Sequence, residues 1–304
     1  MDASKRILIA GGSGLIGTRL SEILQNRGYE VWHLSRNSQD LKKTKTFLWD
    51  VKNEMIDPAA FEAVGVVINL AGVGVADRRW SSKRKKEILE SRTKSTALLR
   101  RHLASTAHAV QSFICASGIG YYGPGDENTV FIEDEGAGND FLAEVTRAWE
   151  KESDKFSDLG IRVVKMRIGI VLSNRGGALA PIAKTVRYFV GAPLGSGKQY
   201  MSWIHIDDLC HMFLHAIEHR EIKGPYNAVA PSPVTNTDFI KAIATTLNKP
   251  LLLPNIPAFV LKLMLGELST VVLDGARVSS RKIQNTGFTF RFDALPKALS
   301  DLLR

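Results

Sequence analysis

The sequence predicts an α/β fold, a doubly wound parallel sheet with a smaller, mainly helical C-terminal lobe. Three observations carry that prediction. Short apolar runs alternate with helix-periodic stretches from Arg6 to Val229, with short connections, as when strands lie buried between layers of helices. The first run opens directly into Gly11, Gly12, Gly14 and Gly17, and a helix and a second strand follow. Composition turns glycine-rich and basic from Ser173 to Gln199 and changes again at Pro231. These shifts assign residues 1–172 and 199–229 to the sheet domain and 173–198 and 230–304 to the lobe.

Composition excludes several classes. At 304 residues, with 44% hydrophobic and 23% charged residues, the chain reads as an ordinary globular protein with a large core. No apolar stretch reaches the ~20 residues that span a bilayer; the longest, Ile256 to Leu265, is interrupted by Pro257 and bounded by Gly266. Met1 to Lys5 runs straight into the first strand, so a cytoplasmic protein with no leader and no membrane partner is expected. Cys115 and Cys210 have no metal-type spacing and read as reduced structural residues. His211 and His215 share a helix face but lack the glutamate of an HExxH site, so no metal is expected. A net charge of +9 permits an anionic ligand. With one dense basic run and no basic–aromatic interleaving elsewhere, nucleic acid is not expected.

Taken in order, Arg6 to Ala10 is the first strand. Leu15, Ile16, Leu20, Ile23 and Leu24 recur at helical spacing until Gly28, and Glu30 to Ser35 is the second strand. Glycine at Gly11, Gly14 and Gly17 allows a tight turn, close approach of backbone to a pyrophosphate, and close packing of helix on strand. The pyrophosphate then meets the free N–H groups of the helix N-terminus around Leu15 and Ile16. This is a Rossmann-type dinucleotide site. At the end of the second strand an NAD-preferring protein places an acid, whereas Ser35-Arg36 suits a 2′-phosphate, so NADP(H) is expected. Arg19 either assists there or is a solvated helix residue.

Phe47 to Val51 is a third strand, ending near Asp50, whose carboxylate either meets the adenine amino group or closes a turn. Val64 to Leu70 is a fourth, and Leu70, Ala71 and Gly72 let backbone pass close to the cofactor. The basic run Ala76 to Lys86 opens a helix capped by Ser81 or Ser82 that continues through Glu87 and Arg92 to Leu99. That run reads as a solvated face, with an anionic substrate near Arg78-Arg79-Trp80 as the sharper alternative. Ser112 to Ala116 is a fifth strand entering the turn Ser117 to Pro124, which carries Tyr121 and Tyr122. Phe141 to Phe156 is a helix and Ile161 to Arg167 a sixth strand. Trp203 to Asp208 begins a helix capped by Asp207 or Asp208, and Tyr226 to Val229 is a last strand. Then come a helix from Asn236 to Leu247, a leucine-rich pair broken at Gly266, and a terminal helix.

The segments GGSGLIG, NLAG, SGIGYYG, MRIGIVL and SWIHIDD resemble the extended short-chain dehydrogenase/reductase superfamily, home of nucleotide-sugar epimerases and dehydratases, over nearly the whole chain. More narrowly, RRW followed by SR, then FLAEVTRAWE, PLGSGKQYMSWIH and LDGARVSSRKI resemble the atypical epimerase family typified by the human family member 39U protein and bacterial YfcH-type proteins.

The resemblance also exposes a departure. The superfamily uses a tyrosine as general acid/base and a lysine four residues later, because a phenol near pKa ~10 needs a cation beside it to act at neutral pH. Anchored on Glu150, the tyrosine position falls on Leu142 and the lysine position on Thr146. The serine position falls on Gly118, one residue after Ser117, and the asparagine position on Arg92. The resemblance thus implies a kept cofactor site without the usual proton-transfer set.

Substitutes are expected among residues at strand ends. Ser117 and Tyr121 (or Tyr122) are candidate catalytic groups, and Arg92 and Arg167 candidate cations toward cofactor phosphate or substrate anion. Glu87 is a weaker candidate for a ribose contact, and His205 with Asp207 reads as a hydrogen-bonded junction or a catalytic pair. The expected function is an NADP(H)-dependent oxidoreductase or epimerase on a carbonyl or sugar-like small molecule, anionic or neutral. The alternative is a non-catalytic NADP(H)-dependent binding or regulatory protein. A homodimer is possible on either reading.

Overall fold

The structure is a computed structural model that describes residues 5–36 and 44–304. Eight strands form its main sheet: β1 (Arg6–Ala10), β2 (Glu30–Ser35), β3 (Lys45–Asp50), β4 (Met55–Ile56), β5 (Val66–Asn69), β6 (Ser112–Gly118), β7 (Arg162–Ile168) and β8 (Gly224–Ala228). They lie in the order β8-β7-β6-β5-β1-β2-β3-β4, and every pairing is parallel except β3 with β4. The two-residue β4 has no counterpart in the sequence reading, since two residues carry no period.

Apolar residues fill β1 without interruption because both of its faces are covered. Ile7 and Ile9 pack with Leu20 and Leu24 of α1 (Leu15–Asn26) and with Phe213 of the helix Ile206–Glu218. Leu8 and Ala10 point the other way, toward Leu98, Leu99 and Leu103 of α2 (Ser82–Ser105). α2 runs past the expected stop at Leu99 because Leu103 extends its buried stripe. α3 (Phe141–Asp154) covers the same face and ends in a tight turn closed by Gly160 in the left-handed region. β1 sits between β2 and β5, so the chain reverses its direction of winding there and leaves a crevice beyond the strands' carboxyl ends.

A third core belongs to the lobe. Leu179 and Val186 of α4 (Leu179–Arg187), Phe239 and Ile243 of a helix at Asn236–Thr246, and Leu295 and Leu299 of the terminal helix Leu295–Leu303 meet around Trp203. The division is not clean at the residue level. Leu172 and Trp203 belong to the lobe's core, whereas Ile283 and Phe288 pack into the sheet's core. The buried Asp208 carboxylate pins the junction by accepting the Arg291 and Phe292 N–H groups at 2.9 and 2.8 Å.

Candidate functional site

The glycine turn is built by close approach. A Cβ on Gly17 would lie 2.5 Å from the Gly11 carbonyl oxygen and 2.6 Å from Gly12 Cα, and one on Gly12 would strike the His33 ring. Gly11 has φ +81°, and its backbone lies against Leu70 at the end of β5, so the first and fifth strands meet at this turn. Helix α1 begins at Gly14 with no side-chain cap and no acid in its first turn. Its free N–H groups and positive dipole end face outward, as an anionic pyrophosphate requires. A Cβ on Gly14 would meet only the Gly11 carbonyl oxygen, at 3.3 Å, so the place a ligand's phosphates need is open. The residues present therefore fit a dinucleotide.

Beneath the turn lies a histidine that the sequence did not single out. Ser21 donates its hydroxyl proton to the Gly17 carbonyl, so it accepts from His33 Nε2 at 2.7 Å. His33 is buried, and burial lowers its pKa to about 4. Arg36 is exposed at the end of β2.

A cavity of about 350 Å³ opens beyond β6 and β7. Its wall includes Arg92, Ser117, Gly118, Leu142, Thr146 and Trp149, with Tyr200, Asp140 and Asp274 from other segments. Leu142 and Thr146, which the sequence register sets at the tyrosine and lysine positions, both line this cavity. Arg92 joins the cavity to the turn. Its guanidinium lies beside Gly72, donates to the Val73 and Ile88 carbonyls, and faces the Trp149 ring. No carboxylate pairs with it among the described residues, and burial, helped by the nearby charge of Arg84, lowers its pKa to about 10. It remains a cation near neutral pH.

Ser117 is oriented by a buried network. Its hydroxyl donates to Glu150 Oε1 at 2.7 Å, and Glu150 is held by Arg167 through two bonds of 2.8 and 3.0 Å. Arg167 also donates to the Tyr122 hydroxyl and the Glu133 carbonyl, while Tyr122 donates to Asn227. Burial pushes the Tyr122 phenol up to about 12.

Several expectations are corrected here. Arg167 reaches no ligand space, because its donors are occupied by Glu150, Tyr122 and Glu133. Tyr121 does not line the cavity; its ring stacks 3.5 Å from the Arg167 guanidinium, drawn there by the cation. Exposed Glu87 pairs with the buried Arg84 and does not line the cavity. Asp50 closes a turn, accepting from Lys52, Asn53 and the Asn53 amide. Arg19 forms a two-bond ion pair with Asp207 that clamps α1 to the helix Ile206–Glu218. That helix is capped by His205, whose Nδ1 accepts from the Asp207 N–H, and not by Asp207 or Asp208. Two groups the sequence reading passed over are Tyr200 and Asp274, whose carboxyl is raised by burial and by the charge of Asp140. No local spacing marks either one.

The sequence profile of the NAD dependent epimerase/dehydratase family matches residues 7–229. The chain belongs to this family. A second profile, described as a domain of unknown function, matches residues 256–302. The epimerase family protein YfhF of Bacillus subtilis is 35% identical over 299 residues, covering 98% of this chain and 97% of that one. The mouse epimerase family protein SDR39U1 is 35% identical over 302 residues, covering 98% and 99%. The crystal structure of the human epimerase family protein SDR39U1, isoform 2, solved with NADPH, superposes with a TM-score of 0.86 at 30% identity, covering 98% of each chain. The resemblance drawn from the sequence motifs and the doubly wound fold both hold.

Proposed function

We propose that the protein binds NADP(H) in the crevice at the β1–β5 switch point and is an oxidoreductase or epimerase acting on a small carbonyl or sugar-like molecule. One observation carries this reading: the open helix N-terminus at Gly14 leads past Gly72 and Arg92 into the cavity beside Ser117. The human relative solved with NADPH supports the cofactor, and Ser35-Arg36 supports the 2′-phosphate form. Bound there, the dinucleotide supplies or takes up a hydride. The chain's own part is binding and polarisation. Arg92 holds a negative charge, on a cofactor phosphate or on the substrate oxygen where charge develops. Tyr200 offers a hydroxyl on the cavity wall, and Ser117, whose proton goes to Glu150, can only accept there.

A second reading, a non-catalytic NADP(H)-dependent binding protein, is favoured by Leu142 and Thr146 in that wall. Fluorescence titration with NADPH and NADH, followed by a panel of carbonyl substrates, separates the two. NADPH should bind at least about tenfold more tightly than NADH, with the gap narrowed by Arg36→Ala. Turnover that falls in Arg92→Met supports the enzyme; tight binding without turnover selects the second reading, and absence of NADPH binding removes both.

A further inference from the structure

An apolar helix in the lobe has little to pack against. α7 (Ala258–Leu265, AFVLKLML) buries only Leu261, while Phe259, Leu263 and Met264 are 71%, 78% and 65% exposed. Leu252 and Leu253, in the segment leading into it, are 66% and 45% exposed. Single exposed leucines are ordinary, but large apolar side chains gathered on one short stretch mark an interaction surface. At about 12 Å the helix cannot cross a bilayer.

Its neighbourhood selects the occupant. Just beyond α7, Gly266 lies against the Arg79 guanidinium and Glu267 pairs with Lys85, which brings these two cations of the basic run beside the helix. Residues 77–87 contain six cations and two carboxylates. Arg79, beside Gly266, and Lys262 of α7 itself are exposed and pair with no carboxylate among the described residues. A two-fold dimer through this face would bring two such basic clusters together, and their repulsion opposes it. An anionic lipid surface attracts each of the cations and accepts the apolar side chains at the headgroup boundary.

We propose that this face binds the surface of an anionic lipid bilayer, with α7 lying in the interface and the basic run against the headgroups. The sequence expectation of no membrane partner rested on the lack of a spanning segment, which this mode does not need. Thr270, Val271 and Asp274, shortly after α7, line the cavity, so membrane binding sets the cavity near the lipid surface. The inference is independent of the cofactor reading, and its test does not use activity.

The test is flotation of the full chain with vesicles of phosphatidylcholine alone or mixed with phosphatidylglycerol. The protein should float with the mixed vesicles only and lose that partition in high salt. Phe259→Ser with Leu263→Ser, and separately Arg79→Glu with Lys262→Glu, should each lower the partition at least about tenfold while circular dichroism stays unchanged. Equal partition of the apolar double variant, or no flotation with either vesicle, overturns the proposal. A dimer in size-exclusion chromatography that the apolar double variant dissolves, with no vesicle binding, assigns the face to a second copy and also overturns it.

Discussion

The carboxyl edge of the sheet has two halves that are held by different forces. Over β1 and β5 the site is made of backbone, with Gly11, Gly12 and Gly17 so close to their neighbours that no side chain fits. Over β6 and β7 it is made of side chains, and the charged ones, Glu150 and Arg167, bond to each other and to Ser117 and Tyr122. The first half keeps what a dinucleotide needs, because a turn of this kind tolerates almost no substitution. The second half is a side-chain network beside a cavity that Leu142 and Thr146 line. The two halves can therefore vary independently, the backbone half being held by close approach and the other by side-chain bonds.

Breaking the charged half should have the largest effect. Glu150→Ala leaves Arg167 buried without its carboxylate and should cost about 3–5 kcal/mol in urea unfolding; a loss within error would mean that this network is not structural. In the glycine half, His33 is held neutral by burial at a pKa of about 4 against an ordinary 6.5. The unfolded chain takes up a proton near pH 6.5 that the folded chain refuses, so stability should fall as pH drops from about 6.5 toward 4. The loss should be at most about 3 kcal/mol, and it should flatten in His33→Gln. Gly17→Ala pushes a methyl group into the Gly11 carbonyl and should destabilise the fold by about 1–3 kcal/mol and weaken NADPH binding in parallel. The smallest effect belongs to Glu87→Ala, which should leave NADPH affinity within about twofold, since exposed Glu87 pairs with Arg84 and does not line the cavity. A large loss there would move the cofactor site toward α2.

Legibility followed the range of the interactions. The strand run Arg6 to Ala10, the helix after it and the glycine turn depend on neighbours a few residues apart, and the sequence marks them clearly. Helix ends were less legible. The cap at His205 and the extension of α2 to Ser105 are decided by packing, which propensity does not report. In the site, Leu142, Thr146, Ser117 and Arg92 were found by register and do line the cavity. Arg167 and Tyr121 were misjudged because both sit at strand ends, where a ligand contact and a structural contact look alike in one dimension.

The doubly wound sheet and the glycine turn were legible in the sequence alone, since each rests on residue type and short spacing. Only the folded chain shows that Glu150 holds Arg167 and Ser117, that Arg92 meets no carboxylate among the described residues, and that Tyr200 and Asp274 share its cavity. Those outcomes depend on which groups, distant along the chain, the fold brings together. There a charge takes the nearest partner available, and the position of that partner is not written in local sequence.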